Sequence, residues 1–254
     1  MILCEIIFIL EVLYVLFTNQ SLLAVLVPLG YALYLLHGFL TKTLHLNFKL
    51  ANTLQNLITH SVMAYLDYQH VNESGKLCFT SEITSGVHAL YQVQLSIWIC
   101  EGFISMTTEP QHQRRDHVIL FCHHIITIAL LLVSQRFEYT SVGTLILFYH
   151  DFSDIFIDLL KLFNYLKYDI PVYIIYVFNV FSWIYFRLYK FLIDAIIPCY
   201  NTCTINKDVI CYLDYGLIML YCMHLFWMYL LIRVAVRLLQ GTTPEDAGEL
   251  EYEE

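Results

Sequence analysis

Residues 117–161 read HVILFCHHIITIALLLVSQRFEYTSVGTLILFYHDFSDIFIDLLK. Two apolar runs, 117–135 and 140–161, flank a short polar connection. Neither run alternates with the period of two that marks a strand, so both read as helices. Each approaches the roughly 20 residues that a helix needs to cross the hydrocarbon core of a bilayer. Their polar content is the informative part. His123 and His124 sit inside the first run, and His150, Asp151, Asp154, Asp158 and Lys161 inside the second. Ionisable residues within membrane spans are expensive and are functional candidates by default.

Residues three and four apart share a helix face. His150, Asp154, Asp158 and Lys161 follow that spacing and form one polar stripe. His123, Thr127, Leu130 and Ser134 form another, with two hydroxyls aligned below the first histidine. At a rise of 1.5 Å per residue, His123 lies roughly 9 Å inside its helix. His150 and Asp154 lie about 16 Å and about 10 Å from the same side of the bundle. Antiparallel neighbours bring the two stripes together at one depth. So much desolvated charge is poor structural glue, and the pattern predicts a buried reactive site.

The rest of the chain has the same character. Of 254 residues, 59% are hydrophobic and 14% charged, against about 45–50% and about 25% in soluble domains. Further apolar stretches at about 2–17, 22–40, 50–67, 86–106, 170–197 and 209–232 give an all-α, polytopic membrane helix bundle of about seven to eight spans. Glu5, Glu11 and Pro28 leave open whether the first 40 residues cross once or twice. The expected division is an N-terminal membrane segment at 1–40, one membrane domain at 41–240 and an acidic, solvated tail at 241–254.

Lys and Arg set the orientation. Lys42, Lys49, Arg114, Arg115, Lys161, Lys167, Arg233 and Arg237 fall on one side. Lys76, Arg136, Lys207, Arg187 and Lys190 fall on the other. The richer side is the expected cytosolic one, which puts the C-terminus in the cytosol and the histidine stripes in the cytosolic half of the bilayer. The net charge of −9 comes largely from the tail, and no dense basic run points to nucleic acid. Asn72-Glu73-Ser74 is a glycosylation pattern on the opposite side. Cys199, Cys203 and Cys211 share one connection there, where a disulfide is open. Thr242 and Thr243 precede acids at a spacing that acidophilic kinases use.

The stretch from His123 to Lys161 resembles the longevity-assurance motif of ceramide synthases, within the TLC membrane domain. His123, His124, Thr127, Ser134, Gly143, His150, Asp151, Ser153, Asp154, Asp158 and Lys161 stand in the order of that motif. QRRDH, with Arg114, Arg115 and Asp116, is similar to the family's basic cytosolic connection. The span carrying Arg187, and MLYCMHLFWMYLLIRV with His224 and Trp227, are similar to its later helices. The resemblance covers about residues 41–240. Three departures stand out: Asp158 where Glu is usual, Ser141 where Arg is usual, and no room for the homeobox-like insert of many animal members.

The resemblance implies transfer of a fatty acyl group from acyl-CoA, as co-substrate, to the amine of a sphingoid base in the endoplasmic reticulum membrane. Its partners are then membrane lipids and the two substrates, with a homo- or heterodimer left open, no permanently bound cofactor and no metal. The catalytic set is His123, His124, His150, Asp151 and Asp154. Histidine suits this chemistry because its unperturbed pKa lies near 6.5. It can serve as the base for direct attack or as an acylated nucleophile. Asp151 or Asp154 is expected to orient a histidine. Arg114, Arg115 and Lys161 are candidates for CoA phosphates by charge. Arg187 is expected towards the other side, anchoring a helix or lining the far end of an acyl tunnel. His224 is a supporting position, and the last luminal connection near 194–211 is expected to bear on acyl-chain length. Two rival readings are a metal-dependent lipid hydroxylase or desaturase, and a non-catalytic TLC-domain protein that binds lipid or assists translocation.

Overall fold

The computed structural model describes residues 20–74, 85–107, 116–137, 139–205 and 210–240. These residues are helical apart from short turns. The helices are α1 (Gln20–Gly38), α2 (Phe48–Ser74), α3 (Ser85–Thr107), α4 (His117–Arg136), α5 (Thr140–Tyr165), α6 (Asp169–Ser182), α7 (Ile197–Ile205) and α8 (Ile210–Leu239). Seven of the eight apolar stretches read from the sequence reappear as helices. The eighth, 2–17, lies outside the described residues, as do Arg114, Arg115, the tail and the side chains of Cys203 and Cys211.

Local chemistry explains several boundaries. Pro28 does not break α1, which runs through it; lipid-embedded helices tolerate proline where neighbours re-satisfy the freed carbonyl. A π-helical turn, Phe39–Thr43, ends α1. His45 then adopts a left-handed φ of 53°, and the Asn47 side chain accepts from the Leu50 amide at 2.8 Å, a cap on the free first turn of α2. α5 ends in a left-handed residue, Lys167 at φ 58°, with the Tyr168 amide donating back to the Phe163 carbonyl at 3.0 Å. That closing pattern is the usual device for stopping a helix sharply.

Between α6 and α7 the chain stays helical but widens into two π segments, Trp183–Lys190 and Leu192–Ile196. Stretches of π-helix are rare and concentrate at functional sites. Among the described residues, three helical segments are long and apolar enough to cross a membrane: His117–Arg136, Asp169–Thr202 and Leu213–Leu238. α5 carries Asp151, Asp154 and Asp158 within eight positions, and these acids set it apart in composition from those three.

α5 is the centre of the bundle. It packs along α2 and also meets α3, α4, α6 and the first π segment. α8 closes the far side against α4, α7 and both π segments. One apolar cluster joins α3, α4 and α5 through Tyr91, Leu95, Trp98, Ile128, Leu131 and Leu147. A second joins the π segments, α7 and α8 through Phe191, Ala195, Cys199, Leu213, Leu217 and Leu220. Below, the end of the bundle where α4 begins is called the Asp116 end, and the opposite one the Tyr139 end.

Gly143 lets α3 and α5 approach. A Cβ there would stand 2.7 Å from Tyr91 Cε2 and 2.8 Å from Cζ, while the Tyr91 hydroxyl hydrogen-bonds Ser134. Gly143→Val must therefore expel the Tyr91 ring and break that bond. Overpacking of this kind costs about 1–3 kcal/mol. The expected outcome is a lower apparent Tm in detergent, with Gly143→Ala intermediate; an unchanged Tm for the valine variant would contradict the packing described.

Candidate active site

Four imidazoles converge where α4, α5 and α8 meet. His123 lies 6.0 Å from His150 between ring centroids, near parallel at 21°. His124 is 6.1 Å from His123, and His224 is 6.3 Å from His123 and 4.9 Å from His150. Trp98 from α3 stands edge-on to both His123 and His124. Trp227 meets His123 at 5.2 Å and 89°. All four histidines are buried, with His224 at 0% exposure and His150 at 3%. The expected meeting of the α4 and α5 stripes therefore occurs, at His123 and His150.

The carboxylates go elsewhere. No carboxylate–imidazole contact is found within the four-histidine cluster among the described residues, against the expectation that Asp151 or Asp154 orients one of these rings. His150 Nδ1 lies 2.7 Å from the Ile146 carbonyl, and its Nε2 lies 3.0 Å from His224 Nε2. Asp154 Oδ1 instead pairs with Arg187 Nη2 at 2.6 Å. Asp151 Oδ2 accepts from Gln94 Nε2 at 2.7 Å, and the same nitrogen donates to Asp67 Oδ2 at 2.8 Å. Asp158 pairs with His60 Nδ1 at 2.7 Å. The physical reason is helical: His150, Asp154, Asp158 and Asp151 follow one another across about 100° of α5, with His150 at the edge that meets α8 and Asp151 at the edge that meets α3.

Arg187 anchors a helix, one of the two roles expected of it, and does so at the level of His150 and Asp154. It projects from the first π segment onto α5, where Nε donates to Ser153 Oγ at 2.6 Å and Nη2 to the His150 carbonyl at 3.1 Å. Ser153 Oγ donates to the same carbonyl at 2.9 Å. The guanidinium, 4.5 Å above the Trp183 ring, thus fixes the backbone that carries His150. Lys161 lies two turns beyond Asp154, towards the Asp116 end and away from the imidazoles. Asp116 accepts from Trp227 Nε1 at 2.8 Å, tying the start of α4 to α8.

An apolar cavity adjoins the cluster. His150, Trp98 and Thr127 line one end, and Ser134, Tyr139, Val142 and Leu213 the other. On α4 its lining runs Thr127, Leu130, Leu131, Ser134. His123 is the next position up that face, one turn beyond the lining; the imidazole in the lining is that of His150, whose ring centroid stands 6.0 Å from His123. The offset from Thr127 to Ser134, about 10 Å by helical rise, measures the cavity's length. Thr127 Oγ1 and the Nδ1 atoms of His123, His124 and His224 are buried with no hydrogen-bond partner among the described residues. Buried polar atoms in that condition are uncommon and call for an explanation. Among the described residues, this cluster included, no three His, Cys, Asp or Glu side chains converge as a metal-ligand set.

His60, Asp67, Gln94 and Trp98 were not singled out by the sequence. His60 and Asp67 share α2, and Gln94 and Trp98 share α3; their signal in the sequence is polarity, or ring size, inside an apolar run.

The TLC domain family matches residues 49–233. The chain belongs to the TLC-domain family. Ceramide synthase LOH2 of Arabidopsis thaliana is 31% identical over 175 residues, covering 65% of this chain and 58% of the relative. Sphingosine N-acyltransferase lac1 of Schizosaccharomyces pombe is 30% identical over 184 residues, 65% of this chain and 46% of the relative. Human ceramide synthase 1 is 29% identical over 153 residues, 55% and 43%. The chain thus spans about half the length of the curated relatives it matches. It is a ceramide-synthase-like, multi-pass TLC-domain membrane protein.

Proposed function

We propose that this TLC-domain protein is an acyl-CoA-dependent N-acyltransferase that forms ceramide from a sphingoid base, through an acyl group carried on His123. The observation that supports this best is the apolar cavity with a cluster of neutral-capable imidazoles at one end. On this reading a thioester entering that space puts its alkyl chain among Leu130, Leu131, Leu217 and Leu220 and its carbonyl at the Thr127–His150 end, one helical turn from His123. An imidazole nitrogen of His123 attacks the carbonyl carbon, the C–S bond breaks and CoA leaves as its thiolate. The amine then attacks the acyl carbon, the bond to the imidazole breaks, and the amine's proton passes to a neighbouring base, a role that fits His124. The Thr127 hydroxyl is placed to donate to the acyl oxygen as negative charge develops there. Seclusion from water protects the acyl-imidazole from hydrolysis.

CoA is a polyanion, and this reading keeps it at the Asp116 end, where Arg114, Arg115 and Lys161 supply positive charge. The same charge distribution puts that end and the C-terminus in the cytosol, with the endoplasmic reticulum as the membrane.

The test is a single-substrate incubation. Purified protein mixed with a fatty acyl-CoA and no amine is expected to release free CoA in a burst and gain the mass of one acyl group at His123 on peptide mapping. An acyl group retained only as intact acyl-CoA, with no CoA released, would contradict the acyl-histidine route. Lipid bound without any turnover even after amine is added would favour a lipid-binding TLC protein.

A further inference from the structure

His150 is the histidine of the His-Asp pair, yet both its ring nitrogens are already engaged. The Ile146 carbonyl, 2.7 Å from Nδ1, can only accept, so Nδ1 must carry a hydrogen. A neutral imidazole has one N–H, which leaves Nε2 as a bare acceptor. The atom 3.0 Å away is His224 Nε2, and that contact is a hydrogen bond only if His224 carries its hydrogen there. The two tautomers are thereby fixed in series, and His224 Nδ1 is left as a lone pair with no partner among the described residues.

We infer that His224, outside the 123–161 stretch, is a positioning residue: it donates to His150 Nε2, occupies that lone pair and holds the ring against His123. The inference rests on the proposed acyl transfer for its consequence, though not for its geometry. With Nε2 filled by His224 and Nδ1 bound to a carbonyl, His150 has no nitrogen left for nucleophilic attack, and the acyl group falls to the His123–His124 pair. The surroundings keep the donor in place. His224 is fully buried; its ring lies 5.2 Å from Phe191 and 6.0 Å from Trp183, and its carbonyl accepts from Trp183 Nε1 at 3.1 Å. The charged and titratable neighbours of the pair are His123, Arg187 through its bond to the His150 carbonyl, and Asp154, which is paired with Arg187.

Two substitutions separate a donor from a ring. His224→Gln places an amide N–H near the position of Nε2, whereas His224→Phe keeps the ring's bulk without a donor. In the full-length protein, assayed with acyl-CoA and a sphingoid base, the Phe variant is expected to lose tenfold or more in kcat with KM for acyl-CoA within about twofold. Losses of about 10–100-fold are typical when a supporting hydrogen bond to a functional histidine is removed. The Gln variant is expected to recover most of that loss and keep the wild-type shape of the pH–kcat profile. A Phe variant as active as wild type would overturn the inference. So would a folded Gln variant as inactive as Phe, because His224 would then be acting through its own ring as a base. Nitrogen-15 shifts of His150 in the unmodified protein decide the geometry without any turnover: Nδ1 protonated with Nε2 accepting is expected, and the reverse tautomer overturns the inference. If wild type forms no N-acyl product, the acyl-transfer reading fails while this spectroscopic result still stands or falls alone.

Discussion

On the proposed acyl-histidine route, His123→Gln is expected to lower kcat for N-acylation by about a thousandfold or more while leaving the protein folded, because it would remove the nucleophile rather than a contact. The substitution keeps a polar group of similar reach, so packing against Trp98 and Trp227 is largely preserved. Removing a covalent nucleophile leaves only the residual catalysis of binding and electrostatic groups, typically several powers of ten below the intact site. His124→Gln should be milder, about a hundredfold, since a general base usually contributes about 10²–10⁴-fold and water can replace it in part. Steady-state assays on both variants in detergent, with Tm as the folding control, make the comparison. Equal losses would mean that the two histidines act as one unit; a folded His123 variant with wild-type kcat would remove His123 from the chemistry.

Arg187→Met carries the largest expected effect on stability. Arg187 is 3% exposed, and its side chain joins Asp154, Ser153 and the His150 carbonyl to the first π segment. Removing one partner of a buried pair strands the other; such losses run to about 3–5 kcal/mol. Asp154 is 22% exposed on its side chain, so water relieves part of the stranding and the lower half of that range is expected. The Trp183 face adds about 0.5–2 kcal/mol of cation–π attraction that is also lost. Replacing both partners, as Arg187→Met with Asp154→Leu, should recover much of the Tm, because two apolar groups leave no unpaired charge. If the double variant is less stable than Arg187→Met alone, the pair is not the reason Arg187 matters.

How far the sequence carried differs between fold and site. Apolar run length is a local property, and the runs at 22–40, 50–67, 86–106, 117–135, 140–161, 170–197 and 209–232 all became helices or helical segments. The face shared by His123 and Thr127 was legible for the same reason, since helical spacing fixes it. Which neighbour a face meets is not local. Asp151, Asp154 and Asp158 were correctly placed on α5, but their partners Gln94, Arg187 and His60 come from three other elements that share no spacing with them. Arg187 illustrates a second limit. Counting 3.6 residues per turn misplaces a side chain once the helix widens into π turns, and nothing in WIYFRLYK announces that widening. His224 is legible in the sequence as a supporting position in a segment that resembles the family, but its partner His150 lies 74 residues away in sequence and no spacing points to it.

The account turns on the chemistry at one carbon atom, and a reconstituted reaction tests it most directly. Purified full-length protein, given a fatty acyl-CoA and a sphingoid base in detergent, is expected to yield the N-acylated base and one free CoA for each product formed, as read by mass spectrometry. Folded protein that binds acyl-CoA yet forms no amide with acyl chains from medium to very long would contradict it.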